Sequence, residues 1–172
     1  MISLYKSLTA KLNLYLTDIT LLTARLLAAN VFFSSGMTKW NGFLSFNPEK
    51  YDLFLYEFFC PDPIREGALL LCDAETLDYV EGSSIITFIE SLAVGAGVAE
   101  IVFPIMLALG IFTRLGAAGL IGMTLFIQLA VFPTWDHWWN PAVWWFVTLL
   151  TLLSMGPGRL SLDKLLGLEN KQ

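Results

Sequence analysis

The stretch Ile85–Phe112, IITFIESLAVGAGVAEIVFPIMLALGIF, decides how this chain is read. A run this long and this apolar crosses a bilayer as a helix. It nevertheless carries two carboxylates, Glu90 and Glu100. At 100° per residue Glu90, Ala93, Gly97, Glu100 and Pro104 share one narrow stripe, and mostly Ile, Val, Leu, Phe, Met and Ala cover the other faces. Acids and small residues gathered on one side turn that side inward, away from lipid.

Cations to meet those acids come from the first apolar segment, residues 19–40. Arg25, Ala29, Phe32, Gly36 and Lys39 form a stripe of their own there. Run antiparallel, the two helices bring Lys39 level with Glu90 and Arg25 towards Glu100. Two charged stripes facing each other inside the membrane are the central structural expectation.

The 172 residues suit a single domain over 1–172, and 56% hydrophobic content with mean hydropathy +0.65 points to an integral membrane protein. The net charge of −5 says little about partners, because nine of the fifteen acids sit between Lys39 and Ser84. There is no basic patch, which argues against nucleic acid binding. Lys6 and Lys11 resemble a charged leader, yet Arg25 interrupts the apolar core and no small-x-small cleavage site follows. The first run therefore reads as a retained span, and neither end carries a lipidation motif.

Ile2–Leu16 reads as a weakly amphipathic helix along the membrane surface or as a solvent-exposed leader, with Thr17 or Asp18 capping the span that follows. In the connector, residues 41–84, Asn47-Pro48-Glu49 starts an aromatic helix over Pro48–Phe59 that should lie on the bilayer surface. Ala68–Cys72 and Thr76–Val80 have the length of a strand hairpin. Spans follow at 85–112, 115–132 and 141–155. Gly116, Gly119 and Gly122 give the third of them packing positions, suited to its neighbours or to a homo-oligomer. Gly156-Pro157-Gly158 stops the fourth, and Ser161 caps a short tail helix. The fold class is an all-α membrane protein, a four-transmembrane-helix antiparallel bundle with an extracytoplasmic connector between helices 1 and 2. Lys6, Lys11, Arg114, Arg159, Lys164 and Lys171 then share one side with both termini, which the positive-inside bias makes cytoplasmic.

Arg25, Glu100, Lys39 and Glu90 are candidates for a polar intramembrane site that takes a headgroup, a quinone or a proton, since a charge at that depth costs several kcal/mol unless paired. A structural ion pair that fixes helix register is the simpler reading of the same residues. His137, the only histidine, sits beside Asp136 in the Trp-rich turn, where it relays a proton or, as the simpler reading, is a plain interfacial histidine. It lacks the clustered Cys and His that would hold zinc, so no metal site is expected. Gln128 faces a ligand or makes a packing hydrogen bond. Cys60 and Cys72 suit a structural disulfide in an oxidising compartment better than a catalytic one, because they form no CxxC. No Walker loop, dinucleotide fingerprint, HExxH or GxSxG is present.

Three groups of residues resemble the DoxX family of small bacterial membrane proteins. They are Arg25 with Phe32, Phe33, Gly36 and Lys39; Glu100 with Gly110, Phe112, Thr113 and Arg114; and the ending Gly156-Pro157-Gly158-Arg159-Leu160-Ser161-Leu162-Asp163. The resemblance runs from about residue 18 to 167. It implies a four-helix bundle in the bacterial inner membrane, and it links some relatives to quinone-dependent sulfur oxidation, thiol-redox complexes or copper-peptide gene clusters. The long acidic connector with two cysteines departs from that pattern. Two functions follow as expectations: a quinone- or thiol-linked redox component acting with a protein partner, or a non-catalytic scaffold that docks an extracytoplasmic partner. A solute or proton transporter using Glu90 and Glu100 is a third.

Overall fold

A computed structural model describes residues 2–169, whose regular elements are all helices, with no strand among them. Helix α1 runs unbroken over Ile2–Met37. No glycine or proline interrupts residues 2–35, so nothing separates the amphipathic leader from the span, and the expected break at Thr17–Asp18 is absent. Asp18, with no helix end to cap, instead accepts a hydrogen bond from the Arg159 backbone N–H (2.8 Å) and pairs with Arg159 Nε at 3.1 Å.

After α1 the chain folds back on itself, with Asn47 N–H donating to Lys39 O at 2.9 Å. Helix α2, Pro48–Asp52, starts as the Asn-Pro-Glu signal requires: the Asn47 side chain accepts from Glu49 N–H at 3.1 Å. It runs on as a π-helical turn over Leu53–Phe58. Phe54, Leu55 and Phe59 are buried against Ile89 and Ala93 of the next long helix, so this aromatic element caps the bundle instead of resting on the bilayer surface. Cys60 and Cys72 are joined by a disulfide, with Cα atoms 5.6 Å apart.

The hairpin expected at 68–80 does not form. Its backbone donors are used elsewhere: Leu69 N–H reaches Ala130 O at 2.7 Å and Leu71 N–H reaches Phe59 O at 2.9 Å. The Asp73 carboxylate accepts from Glu75 and Thr76 N–H, which turns the chain where a strand would have to start.

Helix α3, Ser84–Leu109, is capped by Ser83 and ends at Gly110 in the left-handed conformation. Helix α4, Thr113–Phe126, continues through a π-helical turn at Ile127–Val131. A short α5, Trp135–His137, and the turn Trp138–Ala142 lead into α6, Val143–Met155; α7, Leu162–Leu165, follows, capped by Ser161 as expected. The long helices close a ring: α1 packs on α3, α3 on α4, α4 on α6, and α6 returns to α1. Leu21, Ala28, Phe32, Leu107, Leu120, Leu149 and Leu152 fill its centre.

Three helices, Leu16–Met37, Ser84–Leu109 and Thr113–Val131, are long and apolar enough to cross a membrane. The fourth, α6, has 13 residues, about 20 Å at 1.5 Å per residue, and falls short of that length.

At Gly36 the backbone of α1 comes very close to that of α3. A methyl group there would come within 2.7 Å of the Glu100 carbonyl oxygen, whereas one at Gly122 would meet nothing within 4 Å. Gly36→Ala should therefore cost about 1–3 kcal/mol. Gly122→Ala should be neutral or slightly stabilising. Thermal unfolding of both variants in one detergent checks the contrast.

Candidate functional site

The buried row on α3 is Ile89, Ala93, Gly97, Glu100, Pro104 and Leu107. It matches the stripe read from the sequence except at its start, where Ile89 replaces Glu90. Glu90 is turned to a half-buried position and makes no ion pair among the described residues. Lys39, one turn past the Gly36 contact, reaches Glu100 instead: Nζ lies 2.5 Å from Oε2, with the two side chains 10% and 7% exposed. The Ser35 hydroxyl accepts a second hydrogen bond from Nζ at 3.3 Å, and Trp40 Nε1 donates to Gly97 O at 3.4 Å. The charged stripes do face each other, but displaced by more than two helical turns from the expected register.

That displacement leaves Arg25 without Glu100. Its guanidinium packs on Gly110, about 15 Å further along α3, and donates from Nη2 to Leu160 O at 2.5 Å. Arg25 is fully buried, so it points into protein and not at lipid. Its other neighbours belong to the C-terminal motif. Asp163 accepts from Phe112 N–H (2.7 Å) and Thr113 N–H (2.9 Å), satisfying the start of α4, and donates its own N–H to Gly110 O at 2.7 Å. Gly110 is required twice over: its φ is +67°, and Arg25 Nη1 occupies the place of a Cβ.

At the other end, the π-helical turn after α4 carries Gln128. Its Nε2 donates to Thr134 O at 3.0 Å, which leaves Oε1 facing His137 Nδ1 at 2.6 Å. A carbonyl acceptor on one side and an amide oxygen on the other assign the proton to Nδ1, so in neutral His137 the acceptor lone pair is at Nε2. The imidazole stacks on Phe132 with ring centroids 5.0 Å apart, and the Arg65 guanidinium lies 4.4 Å from that same ring's centroid. Burial holds the His137 pKa below its ordinary value, with the Asp136 carboxylate pulling the other way.

These groups meet around one cavity of about 270 Å³, lined by Lys39, Glu100 and His137 among Phe32, Phe54, Phe58, Phe59, Phe126, Phe132 and Trp145. Of the six residues singled out from the sequence, three line the cavity and Gln128 orients one of those. Arg25 and Glu90 are not in it. The connector's contribution was missed. Phe54, Phe58 and Phe59 had been assigned to the bilayer surface, and only the spacing of their apolar face (four residues, then one) hinted at burial.

The DoxX family profile matches residues 20–133, about two-thirds of the chain. This chain belongs to the DoxX family. A Haemophilus influenzae protein that carries the name "uncharacterized protein" is 29% identical over 158 residues, covering 87% of this chain and 85% of its own length. No solved structure matches. The DoxX match takes in Arg25, Lys39, Glu90, Glu100 and Gln128 and stops short of His137. Family membership together with the three long apolar helices makes this DoxX protein an integral membrane protein.

The His137 shift has a stability consequence with a definite sign. Above the ordinary value of 6.5, the ring is neutral in both the folded and the unfolded chain. As pH falls through that value the unfolded chain takes up the proton first, so stability falls too, levelling off once folded His137 titrates. Thermal midpoints from about pH 8 to about pH 5 should therefore drop more for the wild type than for His137→Gln. Parallel curves would contradict the assignment.

Proposed function

We propose that this DoxX protein is a redox-associated component of the bacterial inner membrane that binds a quinone-type ring in the aromatic cavity and works with a protein partner. The observation that carries the proposal is the convergence of an ion pair and a neutral histidine on an aromatic-walled space. Ligand pockets usually measure about 300–1,000 Å³. A cavity of about 270 Å³ thus suits a single-ring head, with an apolar tail leaving between the helices. When bound, such a ring supplies two-electron chemistry coupled to two protons. The chain supplies the rest: Lys39 Nζ offers a donor to a ring oxygen, Glu100 takes or returns a proton beside it, and His137 Nε2 offers an acceptor. The aromatic walls exclude water, and no side chain in the site carries electrons, hence the need for a partner.

In this reading α6 and the turn before it complete a fourth crossing, with the bilayer thinned or the Trp cluster drawn in to meet it. Four antiparallel crossings put the 41–84 connector and the Trp-rich turn on one side, in keeping with the bonds between Leu69 and Ala130 and between Arg65 and Val131. That side is extracytoplasmic, and both termini are cytoplasmic.

A second reading, a scaffold for an extracytoplasmic protein, is favoured by exposed apolar residues at the same end: Phe43 94%, Leu44 78%, Val80 79% and Trp135 77%.

Titrating a short-tailed benzoquinone into the protein in lipid nanodiscs tests the first reading, with intrinsic tryptophan fluorescence, to which Trp145 of the cavity wall contributes, as readout. Binding should quench the signal, and Glu100→Gln should weaken it by about tenfold, the value of one charge-assisted hydrogen bond. Absence of any saturable binding overturns the proposal and leaves the scaffold.

A further inference from the structure

The disulfide closes a loop, residues 60–72, that has no secondary structure of its own but is bonded to the cavity wall. Arg65 Nη1 donates to Glu57 O at 2.7 Å on the connector side and to Val131 O at 3.3 Å on the α4 side. The Arg65 guanidinium also lies over Phe132. Leu69 N–H donates to Ala130 O at 2.7 Å, and Gly67 sits against the Pro133 ring. Val131, Phe132 and His137 line the cavity, so this loop contacts the segment that forms its outer wall. Inside the loop Leu71 N–H donates to Phe59 O at 2.9 Å, which pairs the two arms that carry the cysteines. Phe59 is itself a wall residue.

The two sulfurs are not equivalent. Cys60 is 3% exposed, whereas Cys72 is partly open to solvent. We propose that Cys60–Cys72 is a thiol-exchange site, and that its reduction by a dithiol unlatches the outer wall of the cavity. An incoming thiolate attacks Sγ of Cys72, the less buried of the two residues, and the bond to Cys60 breaks. Cys60 leaves as a thiolate and takes a proton from water. The second thiol of the reductant then attacks its own sulfur in the mixed disulfide and releases Cys72. The reductant is oxidised to its disulfide, and the protein gains two electrons and two protons. Once open, the loop has lost the closure that holds Arg65 and Leu69 over α4, and no helix or strand of its own retains it. Phe132 then loses the guanidinium over its ring, and His137 stacks on a wall free to move. Control of ligand access by this latch rests on the cavity being the ligand site; the latch itself does not.

The test takes the full-length protein in nanodiscs, oxidised, then reduced with dithiothreitol or with reduced thioredoxin as a protein dithiol, then reoxidised. Both cysteines should become alkylatable. Reaction with both reagents assigns a protein or a small dithiol, and reaction with dithiothreitol alone assigns a small one. Backbone amides within residues 127–137 should exchange with deuterium about tenfold faster in the reduced protein and recover on reoxidation. A Cys60→Ser/Cys72→Ser variant should match the reduced form; if it does not fold, reversible reduction of the wild type decides the point. Reduction without faster exchange, or no reduction by either reagent, overturns the latch. The short-tailed benzoquinone should bind about tenfold more weakly after reduction. If it binds neither form, the ligand reading fails while the exchange data still judge the latch.

Discussion

The cavity end of the protein depends on Lys39 reaching Glu100 across the seam between α1 and α3. Two buried charges at that depth are tolerated because each neutralises the other and Ser35 takes a further hydrogen bond from the ammonium. The pair can form because Gly36, one turn earlier, lets α1 come almost into backbone contact with α3. Lys39 also sits just past the end of α1, where its carbonyl accepts from Asn47 and so starts α2 over the top of α3. One residue thereby sets the helix seam, the direction of the connector and one wall of the cavity.

The opposite end is held by different chemistry. Arg25 is buried with no ion pair to a carboxylate among the described residues and is met by the carbonyl of Leu160. Asp163 of the same C-terminal segment spends its carboxylate on the exposed amides at the start of α4, and Arg159 returns to Asp18 on α1. The Gly-Pro-Gly-Arg-Leu-Ser-Leu-Asp ending thus staples α1 to the α3–α4 turn. With that end fixed, the cavity end can carry a cavity and an irregular connector without loosening the ring of helices.

Several of these features were legible in the residues, and others were not. Of the four spans read from the apolar runs, three are helices long and apolar enough to cross a membrane, and the alternation of small and acidic residues on 85–112 revealed the inward face of α3. The pairing across that face was misread because charge periodicity fixes a face and not a register. Register came from Gly36, whose value lies in the side chain it lacks. Glu90 fell out of the row although its spacing of three fits as well as the four of Ile89; the apolar neighbour takes the buried place, and the carboxylate turns to a half-buried one. The leader joined α1 for want of any breaker, and the hairpin failed because the Leu69 and Leu71 amides found acceptors at Ala130, in the π-helical turn after α4, and at Phe59, just past the π-helical turn after α2, 61 and 12 residues away. Contacts of that range leave no mark in local pattern. Gln128 and His137 were both noticed, but not their bond, since it depends on a π-helical turn that brings the two together.

The central claim is that Lys39 and Glu100 are an interacting buried pair, and a double-mutant cycle measures it most directly. Unfolding free energies are needed for the wild type, Lys39→Met, Glu100→Gln and the double variant in one detergent. Each single change should cost about 3–5 kcal/mol by stranding or unbalancing its partner. The double change should cost well under the sum of the two, with a coupling of about 1–3 kcal/mol. Additivity to within about 0.5 kcal/mol would contradict the account.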